Sequence, residues 1–439
     1  MCTRKLLCDI QRLTSNFYLY DKENLKYSES IIEYKHDATD PAADDTVKTY
    51  TFSRKRMDLS DGHINTISLV TNNLYNIYKM IAMKTYELNG CSFNKNFHYD
   101  KTRINRVVDN NDEFNYEYDD LNRIKSISTS AYSINYQYDV YGQLIREDNG
   151  RLNKTYKYEY DSIGNIISKK TYSYTIGELE SPMSTKTYSY TNTIYPDRLT
   201  SYNNKSITYN SVGAITSYDG DTYAWSAGKL TLITNGNLTT GTNRYTYTYN
   251  GLGQRIKKTH NFLPGKGGIS NLLPEQLTSS TSNYTYDFDG RLIKENISKT
   301  YYGLEPTTEE LFFLYDQNMI VGMIYTKNGV DTVYYLQRNL LGDVVGVYDT
   351  EGLKVVEYVY DAWGNCTIKN TTNYTIANIN PIRYRGYYYD IETQLFYCNS
   401  RYYSPELCRW ISPDSIEYLD PQSINGLNLY CYCMNNPVM

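Results

Sequence analysis

The feature that most constrains this chain is a turn that recurs ten times. Tyr118-Asp119 with Asn122 in the fourth place begins the series. Tyr138-Asp139 with Gly142, Tyr160-Asp161 with Gly164, Tyr209-Asn210 with Gly213, Tyr249-Asn250 with Gly253 and Tyr286-Asp287 with Gly290 continue it. Asn339 with Gly342, Tyr348-Asp349 with Gly352, Tyr360-Asp361 with Gly364 and a degenerate Tyr389-Asp390 with Thr393 complete it. Glycine holds the fourth place in eight of these ten, so the spacing is a design and not an accident. An Asp or Asn that opens a turn can hydrogen-bond the backbone two residues on, and Gly tolerates positive φ without Cβ strain. The residues leading in, such as INYQYD (134–139) and YTYTYN (245–250), alternate with period 2, and an apolar residue usually follows two places after the glycine. Each unit therefore reads as a β-hairpin.

A lone hairpin of about 20 residues cannot bury its own face, so the units must stack into one longer sheet. Tyrosine dominates the apolar inventory, with 52 residues against 10 Phe and 3 Trp. Its hydroxyl needs water or a partner, which favours a wide winding of the sheet over a tight one. Net charge is -5 with both signs interspersed, which supplies no general drive toward nucleic acid or anionic membrane. There is no apolar run of transmembrane length, and the opening residues lack the apolar centre of a signal peptide. Eight cysteines contain no Cys-x-x-Cys pair, and the four histidines stand apart from them; reduced thiols and no metal site are expected.

These units resemble the YD repeats of the Rhs (rearrangement hot spot) proteins, the C components of Tc toxin complexes and the teneurin shell. Residues 380–439 resemble the Rhs repeat-associated core module over its whole length. The resemblance implies an all-β fold in which YD-repeat hairpins form a spiralling, cocoon-like shell closed by the C-terminal core module. Three regions are expected: divergent N-terminal shell strands over 1–95 (the run from Ile64 to Tyr75 among them), the YD-repeat shell over 96–370, and the core module over 371–439. Family cocoons are built from longer chains, so this one is expected to close only part of a cage.

The resemblance also implies a function. In complete Rhs proteins a variable toxin follows the core, is held inside the shell, and is released by the core acting as an aspartyl autoprotease. The family pattern Arg-Tyr-Tyr-Asp-Pro-x-x-Gly-Arg-(Phe/Trp)-x-x-x-Asp falls on Arg401 to Asp414, with Ser404 at the first aspartate and Cys408 at the glycine. Asp414 and Asp420 are the candidate catalytic carboxylates, since such proteolysis needs two acids sharing a proton. Asp-Pro segments also simply cap turns. The loss of the acid at Ser404, and a chain that stops at Met439 before the family's scissile segment, lead us to expect no self-cleavage here. Arg401, Arg409, Asn428, Tyr430, Asn436 and Pro437 are the structural core motif, while Asp139, Gly142, Asp161, Gly164, Asp287, Gly290, Asp361 and Gly364 are the repeat-turn residues.

The implied role is encapsulation and delivery of a C-terminal toxin in bacterial competition, with no cofactor. The partners are that toxin, absent from this chain, its immunity protein by way of the full-length protein, and a target-cell surface; nucleic acid is not among them. Export or surface display is expected of the full-length protein. The alternative is a carbohydrate- or cell-binding module whose tyrosines stack on sugar faces. Three weaker features have blander readings. The glycine loop Pro264–Gly268 lacks the phosphate-loop spacing and reads as an insertion. Arg383, Arg385, Arg401 and Arg409 interleave with tyrosines and read as cation–π and ion-pair packing. The acidic run at 36–45 reads as a solvated loop.

Overall fold

A computed structural model describes residues 80–439 except 238, 267, 269–275 and 421, together with the backbone of five strands before residue 80 and the side chains of 67 and 69–71. The acidic run at 36–45, Cys2 and Cys8 lie outside the described residues, as does Gly267 of the glycine loop. Strands follow one another almost without interruption, and from Lys26–Tyr34 to Cys366–Lys369 each pairs antiparallel with the next. The anticipated strand Ile64–Tyr75 is present, paired with Val47–Met57 and Ile81–Leu88. Cys91–Asp100 runs unbroken across the 95/96 boundary.

Nine of the ten turns are built as their chemistry dictates. In the first complete unit, Asp139 Oδ1 accepts the backbone N–H groups of Tyr141 and Gln143, and Gly142 takes φ +85°. Asp161, Asn250, Asp287 and Asp361 repeat the two bonds. Where glycine is missing, Asn122 adopts the same left-handed conformation at φ +64°. The tenth turn differs. Asp390 keeps only its carbonyl for the turn, and its carboxylate is committed elsewhere.

Because the strands alternate in direction, the turns opened by 119, 139, 161, 210, 250, 287, 339 and 361 share one rim of the sheet, whereas the turn at 349 lies on the other. Pairing slips by one residue at the tyrosine of each unit, for example between Gln137 and Tyr138 and between Glu159 and Tyr160. The slip is a β-bulge, which re-aims the side chain. The tyrosine hydroxyl then donates to a backbone carbonyl of the preceding hairpin's return strand: Tyr138 to Ile124 at 2.6 Å, Tyr160 to Leu144 at 2.6 Å, Tyr286 to Arg255 at 2.9 Å and Tyr360 to Val344 at 2.8 Å. Trp225 and Arg338 fill the same place by donating to Ile215 and Ile320. The winding therefore does not depend on water for these hydroxyls: backbone carbonyls are their partners. Tyr160→Phe is expected to cost about 1–2 kcal/mol by orphaning the Leu144 carbonyl, measured by urea unfolding, whereas Tyr141→Phe at an exposed turn tip should be neutral.

The sheet coils until its earlier strands face its later ones. Lys84 pairs with Asp316 at 2.5 Å, Asp112 with Lys354, Arg151 with Glu357, and Lys169 with Asp361 at 2.7 Å. Leu311 to Asp316, Ile320 to Thr326 and Val333 to Gln337 are buried without interruption, as expected of strands covered on both faces. Among the described residues the last strand of the spiral, Cys366–Lys369, pairs only with Lys354–Tyr360, so the sheet does not close on itself. No helix among them is long and apolar enough to cross a membrane.

Candidate functional site

Residues 371–439 leave the spiral and fold back onto its rim. A short helix, Tyr374–Ile379, is capped by Asn373, whose side chain accepts the Ile376 N–H. A separate antiparallel sheet follows, from Tyr388–Asp390, Leu395–Cys398, Arg401–Ser404 and Arg409–Trp410. Tyr384, Phe396, Tyr403, Trp410 and Tyr432 pack ring on ring at its centre; Tyr403 and Tyr432 stack with centroids 4.1 Å apart. Such contacts stabilise beyond the area they bury.

The module is held by one turn of the shell after another. Asn435 Nδ2 donates to Gln143 Oε1 at 2.8 Å and to the Gly164 carbonyl at 2.6 Å. Asn428 donates to Asn165 at 2.9 Å, Tyr430 to the Gly213 carbonyl at 2.6 Å, and the Arg385 backbone N–H to Asp343 at 2.8 Å. Arg409 donates to the Tyr190 hydroxyl at 2.8 Å and lies over the Tyr190 and Tyr430 rings. The carbonyl of Pro437 accepts from Arg385, and Asn436 is buried with its side chain accepting the Val438 N–H. Arg401 stacks on Trp410 at 4.1 Å, and Arg383 on Tyr358 and Tyr389.

The glycines explain why some turns are anchors and others are not. A Cβ on Gly164 would stand 1.7 Å from Asn425 Oδ1, while one on Gly352, on the far rim, meets nothing within 4 Å. Both hold φ +77°. Gly352→Ala is therefore expected to cost about 1–2 kcal/mol from the left-handed backbone alone. Gly164→Ala should cost about 1–3 kcal/mol more through displacement of Asn425, as paired thermal melts would show.

The most buried link is electrostatic. Arg255, 1% exposed, donates to Asp390, 0% exposed, at 2.5 Å, and Lys258 reaches the other oxygen at 2.9 Å. The Arg255 guanidinium sits among the rings of Tyr247, Tyr284, Tyr388, Tyr397 and Tyr402 at 4.4–6.0 Å. Burial alone would raise the Asp390 carboxyl, but Arg255 and Lys258 overcome it and hold it below its ordinary value. Tyr388 donates to Glu295 at 2.8 Å beside them.

Asp414 and Asp420 have separate partners. Asp414 pairs with Arg401 at 2.6 Å and is half-buried, while Asp420 is exposed and accepts the Gln422 N–H in a turn. Ser404, at the family's first aspartate, accepts the Leu407 N–H, and Cys408 takes φ +56°, the conformation a glycine supplies. The described cysteines are free thiols.

Arg255, Lys258, Glu147, Lys169 and Glu295 were not legible as site residues from the turn motif, although a signal was there. Two places after the turn's fourth residue the chain has Ile124, Leu144, Ile166, Ile215, Leu292, Val344, Cys366 and Leu395, but a cation, Arg255 or Lys354, in two units. Five places after it stand Ile127, Glu147, Lys169, Tyr218, Lys258, Glu295 and Val347, all buried, and Glu357, Lys369 and Cys398, half-buried. Charges at those inward positions mark where the spiral meets itself or the module.

A spiral antiparallel sheet of Tyr-(Asp/Asn)-x-x-Gly hairpins, sealed at its rim by a folded-back C-terminal module, defines a YD-repeat shell of the Rhs type. Residues 183–438 match the Teneurin YD-shell family model, and the chain belongs to that family. It is 34% identical over 247 residues to the tRNA3(Ser)-specific nuclease WapA of Bacillus spizizenii, covering 55% of this chain and 9% of that protein. It is 24% identical over 345 residues to human Teneurin-4, covering 73% of this chain and 10% of the relative. The chain thus spans about a tenth of the length of these curated relatives. The crystal structure of TcdB2-TccC3-Cdc42 superimposes with a TM-score of 0.68 at 18% identity, over 95% of this chain and 23% of that one, which is a likeness of fold.

Proposed function

We propose that this chain is the capped end of an Rhs-type toxin shell, which encapsulates and delivers a toxin segment lying C-terminal to the module. The observation that carries this reading is the path of the module. Its rim anchors bring Pro437 and Val438 to the lining of a pocket of about 480 Å³ that is partly open to solvent, which Asp112, Tyr132, Arg151 and Glu357 also line. Val438 is only 1% exposed. The similarity to nucleases named WapA supports a toxin cargo in proteins of this kind. A pocket of this size holds waters and not a folded domain, so a domain-sized cargo requires wall beyond the described residues. The intact mass of the protein from its producing cells tests the reading. A larger precursor, or a shell-sized piece with a separate C-terminal fragment, supports it; a single species near 51.1 kDa sinks it.

A second reading, a binding module for a cell surface or carbohydrate, is favoured by the exposed turn tips along the rim. Val140, Tyr141, Val212, Leu252 and Phe288 protrude there, each at least 65% exposed. Under the module the corresponding Trp363 is fully buried. Retention on a glycan array, abolished by Tyr141→Ser with Phe288→Ser, would favour it over the first.

A further inference from the structure

The module brings apolar residues of its own beside those of the rim. Its loop over 413–429 runs along three consecutive connections there, at 161, 195 and 210. A Cβ on Gly213 would meet Pro413 at 3.3 Å, the Leu429 N–H donates to Asp197 at 3.3 Å, and Asn428 donates to Asn165 at 2.9 Å. Ile194, Tyr195 and Val212 of these connections, and Ile416, Tyr418 and Leu427 of the loop, take no part in that contact and are 45–78% exposed. Turn chemistry does not ask for apolar tips. The opposite rim turns on Asn89-Gly90, Asn203-Asn204 and Asn328-Gly329. An apolar patch drawn from two parts of the chain marks an interaction surface.

What covers such tips is seen within the chain. At the turn opened by Asp361 the tip is Trp363, and it is fully buried. There the module closes over it: Tyr403 donates to the Trp363 carbonyl and Tyr384 to the Ala362 carbonyl, both at 2.8 Å. The exposed patch continues this interface along the same rim. Its two halves also differ in charge. Arg198 lies over the Tyr195 ring at 3.6 Å and gives the turn side a cation, whereas the loop side carries Glu417 and Asp420, both exposed. Asp414 is already paired with Arg401 at 2.6 Å.

We propose that two copies of this chain associate through their capped ends, each laying its turn tips on the module loop of the other. Both halves stand on one end of the molecule, so a two-fold rotation satisfies both at once, as in an isologous dimer. The same rotation brings the cation of each turn side to the acids of the opposite loop, which favours this register over tip on tip. Each module is then held down by the other copy as well as by its own rim.

Sedimentation velocity of the full chain, from nanomolar to micromolar concentration, tests the contact. The expected result is a reversible species of twice 51.1 kDa that weakens as salt is raised. Ile416→Asp and Val212→Asp, one on each half, should each weaken it about tenfold or more. Leu353→Asp, equally exposed but on the opposite rim, should leave it unchanged. All three positions are exposed, and thermal midpoints matching the parent show that the variants fold. A monomer at every concentration overturns the proposal, as do aggregates without a defined size. A dimer that survives both patch variants, or that Leu353→Asp dissolves, overturns it too. A monomer that floats with phosphatidylcholine vesicles also overturns it and assigns the patch to lipid.

Discussion

Replacing Asp390 by asparagine is expected to cost about 3–5 kcal/mol and to free the C-terminal module for proteolysis. The size follows from burial. Arg255 and Asp390 are both out of solvent, so removing one charge leaves the other desolvated without compensation, while Lys258 falls back on Glu392 alone. Urea unfolding followed by tryptophan fluorescence would measure the loss, and brief trypsin digestion should cut within 371–439 before the shell. A variant within about 1 kcal/mol of the parent, the range of an exposed pair, would show that this link does not seat the module. The pH dependence gives a second readout. Because the two cations depress the folded value of Asp390, its contribution is complete above an unfolded value of about 4 and is lost as the pH falls through the folded one. Parent and variant should therefore converge in acid.

Glu147 should make the shell lose stability as the pH rises from mildly acid to about 8, the opposite direction. Burial and then the charge of Asp361 raise its folded value to about 8, above the ordinary 4.5. A carboxyl raised in the folded state contributes fully below its unfolded value, and that contribution is lost as the pH rises through the folded one. Ionising it in place costs on the order of a few kcal/mol. The thermal midpoint of the parent is expected to fall as the pH rises from about 4.5 to about 8 and to level off above it, while Glu147→Gln, neutral throughout, keeps its midpoint. Parallel curves for the two proteins would rule this out.

The repeating turns were legible because each is local. An Asp or Asn, a Gly three residues on and alternating residues before them specify a hairpin without reference to the rest of the chain. The closing module was legible through its resemblance to the Rhs core. What could not be read was which hairpin meets which. Asp390 looks like a worn copy of the turn aspartate, yet its carboxylate serves Arg255, 135 residues earlier. Asp361 both sets a turn and faces Lys169, and only the second role depends on the coil of the sheet. The tyrosine hydroxyls were recognisable as needing partners, but their carbonyl acceptors arise from bulges, which leave no residue-level mark. Asp414 and Asp420 share a module, but their different partners, an arginine and a backbone N–H, are set by tertiary placement.

The alternation that puts nearly every turn on one rim also governs how such a chain can change length. Adding or deleting a whole hairpin leaves all later turns on the same side, and the tyrosine of the next unit finds an equivalent carbonyl. Adding or deleting one strand would send every later turn to the opposite edge, away from the module that grips Gly164, Gly213 and Gly364. Shells of this kind should therefore differ in length by pairs of strands. Such changes should fall where no turn touches the module, as at Leu121, and be absent between its anchors.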